Sequence, residues 1–79
     1  MKLLLVAIKD VKVGAFQQPA CVTALGAAVR AFEDATTKPE KNTDMSRHPT
    51  DFELWKIGEY DDETGLITQE RMPIFILGS

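Results

Sequence analysis

Three groups of side chains in this sequence of 79 residues have the types and spacing that chemistry requires. The first is the run Asp61-Asp62-Glu63-Thr64-Gly65, whose clustered oxygens suggest a cation loop. A calcium loop of the helix-loop-helix kind needs oxygen ligands at its first, third and fifth positions, glycine at the sixth and a bidentate glutamate at the twelfth. With Gly65 as the sixth position, the first falls on Tyr60 and the twelfth on Arg71. The run satisfies hairpin chemistry instead, with Asp61 accepting from backbone N–H groups ahead of it and Gly65 taking positive φ. The second group is the single histidine, His48, and the single cysteine, Cys21. No local motif brings either to a serine or an acid, no zinc spacing exists, and no glycine pattern cradles a phosphate. No catalytic residue, metal ligand or cofactor is therefore assigned, and a non-enzymatic protein is expected.

The third group is cationic and aromatic. Residues 1–30 hold Lys2, Lys9, Lys12 and Arg30 against Asp10 alone, a net +3, whereas residues 31–79 hold five basic and eleven acidic residues, a net −6. Lysines and an arginine near an aromatic ring are what single-stranded nucleic acid needs, charge for phosphates and a π-face for bases. Lys2, Lys9, Lys12, Phe16 and Arg30 are the candidate nucleic-acid-binding residues. Trp55 is a second stacking candidate, with a core position as its alternative. The acidic half implies a different partner: Glu59, Asp61, Asp62 and Glu63 form a surface for a basic protein.

These residues depend on a short series of elements. Lys2 to Lys9 is apolar on both alternating faces, as in a central strand covered on each side. Asp10 to Gly14 reads as a turn and Ala15 to Gln18 as a short second strand, with Pro19 ending the pairing. Thr23 is placed to cap a helix from Ala24 to Thr36, whose Leu25, Ala28, Val29, Phe32 and Ala35 form one apolar stripe. Pro39 ends it, and Lys38 to Thr50 reads as a polar loop. Asp51 to Tyr60 returns to strand character, either covered on both faces or shifted by a bulge. Leu66 to Gln69 pairs back, and Ile74 to Leu77 reads as a further strand behind Pro73. The expected fold is α+β: a single domain spanning residues 1–79, a small antiparallel β-sheet with one packed α-helix.

A chain of this length supports one core, and only a small one, so a homo-oligomer is expected through an exposed strand edge or the Ile74-Phe75-Ile76-Leu77 run. The longest unbroken apolar run, Leu3 to Ile8, is far short of the roughly 18 residues of a membrane span. A cytosolic, membrane-free protein is expected. Cys21, alone, reads as a small core residue.

One long pattern resembles a known family. The helix containing Arg30-Ala31-Phe32 and Asp34-Ala35 is followed by His48-Pro49-Thr50-Asp51-Phe52, then by Gly58-Glu59-Tyr60-Asp61-Asp62-Glu63-Thr64-Gly65. With the N-terminal strand, this order is similar to the small nonstructural protein of gokushoviruses, microviruses that package single-stranded DNA. The resemblance covers the chain to about Thr68. It implies a phage protein absent from the capsid, analogous to the nonstructural protein C of other microviruses and working in the host cytoplasm. Its expected role is to bind single-stranded DNA during replication or packaging. The alternative it implies is an acidic adaptor that contacts a phage replication or packaging protein. No family site residue is carried over.

Overall fold

The computed structural model describes residues 1–38 and 43–78; Pro39, expected to end the helix, lies outside them. Five strands form one antiparallel sheet: β1 (Lys2–Asp10), β2 (Ala15–Phe16), β3 (Ala20–Val22), β4 (Phe52–Asp61) and β5 (Leu66–Gly78). Their order is β2-β1-β4-β5, and β3 pairs with the same edge of β1 as β2 does. The helix α1 (Leu25–Thr37) packs on one face. This is the expected α+β arrangement, with the Lys2 strand in the middle of the sheet.

The core is small because only one face is covered. Val6, Ala28, Phe32, Phe52 and Leu54 form the buried cluster, with Leu4, Ile8, Val29 and Ile76 packed against it. Leu4, Val6 and Ile8 alternate toward the helix, so Leu3, Leu5 and Ala7 face the other way, where among the described residues no helix or second sheet lies over them; Ala7, 3% exposed, is buried there by neighbouring side chains, while Leu3 and Leu5 are half-buried. The expectation of two covered faces on β1 thus holds at Ala7 and only in part at Leu3 and Leu5. Phe32 is 2% exposed, as the helical stripe requires. The stripe itself runs through Ala28, Phe32 and Thr36 at i, i+4 spacing, which leaves Leu25 exposed at its margin. The Thr36 hydroxyl is buried without penalty because it donates to the Phe32 and Glu33 carbonyls, at 3.0 and 3.1 Å.

Several local expectations differ from the structure. Thr23 does not cap α1: Ala24 is the N-cap, with no side-chain hydrogen bond, so Thr23 sits one residue too early. Pairing after Phe16 stops and then resumes as β3, because Pro19 supplies no N–H but does not prevent the chain from returning to β1. Cys21, on that short edge strand, is exposed rather than in the core. The segment read as a loop contains α2 (Asp44–Arg47), closed by a reciprocal capping box between Thr43 and Ser46, and a 3-10 turn at Pro49–Asp51. Met45 of α2 packs against the core.

The two strands expected after Gly65 are one. β5 pairs with β4 from Asp61↔Leu66 to Glu53↔Gly78, and the register shifts twice, between Lys56 and Gly58, where Glu70–Pro73 are the extra residues, and between Leu54 and Trp55, where Ile76 is. Pro73 is tolerated there because a bulge on an edge strand needs no ladder donor. A further shift, on the β1 side, places Ile57 as the extra residue between the pairs Val6↔Lys56 and Leu5↔Gly58. Lys56 braces the bulge, 3.1 Å from Glu70 and 3.6 Å from Glu59.

Candidate nucleic-acid interface

Both hairpin turns of the sheet are built alike. In Asp10–Gly14 the Asp10 carboxylate accepts from the N–H groups of Lys12 and Val13, the Gly14 N–H donates to the Asp10 carbonyl at 2.8 Å, and Gly14 has φ 77°. In Asp61–Gly65 the Asp61 carboxylate accepts from the Glu63 N–H at 2.9 Å, the Gly65 N–H donates to the Asp61 carbonyl at 2.8 Å, and Gly65 has φ 76°. The DDETG run is therefore a turn. Its outer carboxylates meet the amino group of Met1, at 2.8 Å for Asp62 and 3.3 Å for Glu63. No group of metal-binding side chains is found among the described residues.

The turns sit at opposite ends of β1. The acidic one adjoins Lys2, which is the register partner of Asp61, and the other follows Asp10. The seven residue steps from Lys2 to Lys9 span about 23 Å at strand rise, and the Debye length at physiological salt is about 8 Å. Charge at one end is therefore nearly silent at the other. The acidic turn therefore bears little on an anion held at the Lys9 end, whereas Asp51 and Glu53 of the same −6 half lie at that end.

At that end three aromatic rings form a row across the uncovered face. Lys9 pairs with Phe16, Ala7 with Trp55, and Trp55 with Phe75, so one ring comes from each of β2, β4 and β5. Ring centroids lie 5.8 Å apart for Phe16–Trp55 and 5.4 Å for Trp55–Phe75, both edge to face. Trp55 is half-buried over Ala7, while Phe16 and Phe75 remain 41% and 50% exposed. The Lys9 ammonium stands 5.6 Å from the Phe16 centroid and 5.4 Å from that of Trp55, a cation–π position that fixes a positive charge within the row. Glu53 lies opposite Lys9, and its carboxylate accepts the Trp55 indole N–H at 3.1 Å; Asp10 and Asp51 are the other acids at this end.

The sequence candidates thus separate. Lys9, Phe16 and Trp55 come together, and Lys12 lies in the adjoining turn. Lys2 is at the acidic end, and Arg30 projects from α1 in the layer on the other side of the sheet. Phe75 was hidden from sequence reasoning, since its role depends on the register Trp55↔Phe75 across an irregular ladder. An apolar groove of about 200 Å³ lies between α1 and the Gln17–Ala20 crossing, lined by Val6, Val22, Ala28, Phe32 and Leu54. It is below the usual ligand-pocket size of about 300–1,000 Å³ and offers no charged group. It is the gap left where pairing to β1 is interrupted.

Comparison with known proteins adds one finding. The profile of the phage ORF5 protein family matches residues 3–79, so the chain belongs to that family and is a bacteriophage protein. No curated protein and no solved structure matches it. No helix among the described residues is long and apolar enough to cross a membrane.

Proposed function

We propose that this phage protein is a non-enzymatic single-stranded DNA-binding protein of the gokushovirus nonstructural type, serving viral DNA replication or packaging in the host cytoplasm. The observation that carries the reading is the exposed row Phe16–Trp55–Phe75 with Lys9 among its rings. Bases stack on aromatic faces whatever their identity, and a nearby lysine releases counterions from the backbone. The site would therefore read single strands with little sequence preference. The alternative, an acidic adaptor for a phage replication or packaging protein, uses the opposite end. There Asp61 is engaged in the turn and Asp62 and Glu63 in the Met1 amine, which favours the aromatic face.

The test is a titration with labelled oligothymidine at two salt concentrations. Lys9→Ala/Lys12→Ala should flatten the logarithmic salt slope by about 0.7 for each phosphate that is no longer neutralised. Phe16→Ala should weaken binding by roughly 5- to 150-fold, equivalent to about 1–3 kcal/mol, with the slope kept. Lys2→Ala and Arg30→Ala are the positional controls and should change affinity much less. Absence of binding at low salt, with capture of a basic phage protein by the acidic turn, would replace this reading with the adaptor.

A further inference from the structure

β5 concentrates the unsatisfied surface of this molecule. Leu66, Ile67, Met72, Ile74 and Phe75 are all exposed large apolar side chains on this one strand. Among the described residues β5 pairs only with β4, so its outer edge presents backbone N–H and carbonyl groups that no described strand takes up. Edge strands are ordinarily protected by charge, proline or a bulge. Here those devices gather at Glu70–Pro73, where Glu70 is held by Lys56, and at the one-residue shift on Ile76 between Phe75 and Leu77; Ile74 and Phe75, between the two irregularities, carry neither charge nor proline.

We infer that two copies of this chain pair antiparallel through Ile74–Ile76 of β5, centred on Phe75, joining their aromatic rows into one continuous binding face. The faces of the strand select the register. Residues directly opposite in an antiparallel pair share a face. Ile76 packs toward the core, Ile74 lies opposite Lys56 on that same face, and Phe75 contacts Trp55 on the uncovered one. Placing Phe75 against Phe75 of the second copy, and Ile74 against Ile76, keeps these three residues on their own faces, and the shift after Ile76 ends the run. A shift of one residue would not. The two-fold axis then runs perpendicular to the sheet, so both helices lie on one side and both aromatic rows on the other. Three strand spacings separate the two Trp55 residues laterally, about 14 Å, with the two Phe75 rings between them.

The shared face rests on the single-stranded DNA reading; the pairing itself does not, and the experiment separates them. Sedimentation at high micromolar concentration should give a dimer for the wild-type chain and for Ile67→Lys, which alters the same strand outside the paired run. Ile74→Lys should give a monomer with its helical circular dichroism intact. It should also lose about a hundredfold or more of the affinity for a strand long enough to span both rows, despite its added positive charge, while a half-length strand binds nearly as before. Should Ile74→Lys fail to fold, Cys21→Ser/Phe75→Cys provides an independent readout. Opposed positions in an antiparallel pair lie within disulfide reach, so mild oxidation should cross-link it, and Cys21→Ser/Ile67→Cys should stay monomeric on a denaturing gel. A wild-type monomer with and without DNA overturns the pairing, and a dimer that survives Ile74→Lys overturns its location. A dimer that behaves as described but binds no strand upholds the pairing and overturns the shared face.

Discussion

The close approach of β4 and β5 at Gly58 gives the most quantitative test of the structure. A Cβ added there would stand 2.5 Å from the Thr68 carbonyl oxygen and 3.4 Å from the Gln69 Cα, both of them backbone atoms. No side-chain rotation relieves such a clash, so Gly58→Ala must part the ladder by about 1 Å, within the range where overpacking costs about 1–3 kcal/mol. Parting it also weakens the flanking hydrogen bonds, each contributing about 0.5–1.5 kcal/mol. A total of about 2–4 kcal/mol is expected, and at about 4–8 °C per kcal/mol for a domain of this size the melting temperature should fall by about 8 °C or more. Thermal unfolding followed by circular dichroism reads this directly. Gly14→Ala is the internal control, since nothing lies within 4 Å of its Cβ and only its positive φ of 77° is at stake. If Gly58→Ala melts within about 2 °C of the wild type, or no lower than Gly14→Ala, the strand approach described here is wrong.

Three further outcomes are expected. Gly65→Ala should cost roughly 1 kcal/mol, the steric price of positive φ, and calcium should leave the melting temperature of the wild type unchanged; a rise of several degrees would restore the cation reading of the turn. Phe32→Ala should cost about 3–5 kcal/mol, much of the stability available to so small a core, and near-ultraviolet dichroism should collapse with it. The hydrogen bond to Glu70, and then the charges of Glu70 and Glu59, raise the Lys56 ammonium above its ordinary value of 10.5, against the opposing effect of burial. Because the folded value is the higher, the stabilisation is complete below the unfolded value and is lost as pH rises through the folded one. Urea midpoints should therefore fall above pH 10.5 in the wild type more than in Lys56→Met.

The central strand, the single helix with Phe32 inward, and the acidic turn were legible because each is written in local pattern: alternation, helical spacing, and an aspartate four residues before a glycine. The short capped helix at Asp44–Arg47 was missed for the opposite reason. Its Thr43/Ser46 box uses serine where glutamate is the usual signature, and it is only four residues long. The candidate site was half legible. Lys9 and Phe16 are joined by a tight turn and could be paired by eye, whereas Trp55 and Phe75 join them only through registers displaced by bulges at Ile57 and Glu70–Pro73. Bulges leave no mark in composition, and these shift the later partners by one position at Ile57 and by three at Glu70–Pro73. Nothing in the sequence separates Arg30 from the other cations, since only packing decides which layer a helical residue occupies.

The order of the strands also bears on how the chain reaches this structure. β4 and β5 meet across a tight turn, as do β1 and β2, but the pairing Asp10↔Phe52 encloses the whole helical segment in one long loop. Each doubling of loop length adds about 0.6 kcal/mol to closure, so this step carries roughly 2 kcal/mol more entropic cost than either hairpin. The helix cannot offset it early, because Phe32 finds Phe52 and Leu54 only once β4 has docked on β1. Folding therefore has two quick local events and one slow global one, and until the last is complete β5 stands exposed on a hairpin without a core behind it. A newly made chain is most prone to pair wrongly with its neighbours during that interval, through the same apolar strand that the finished protein presents at its edge.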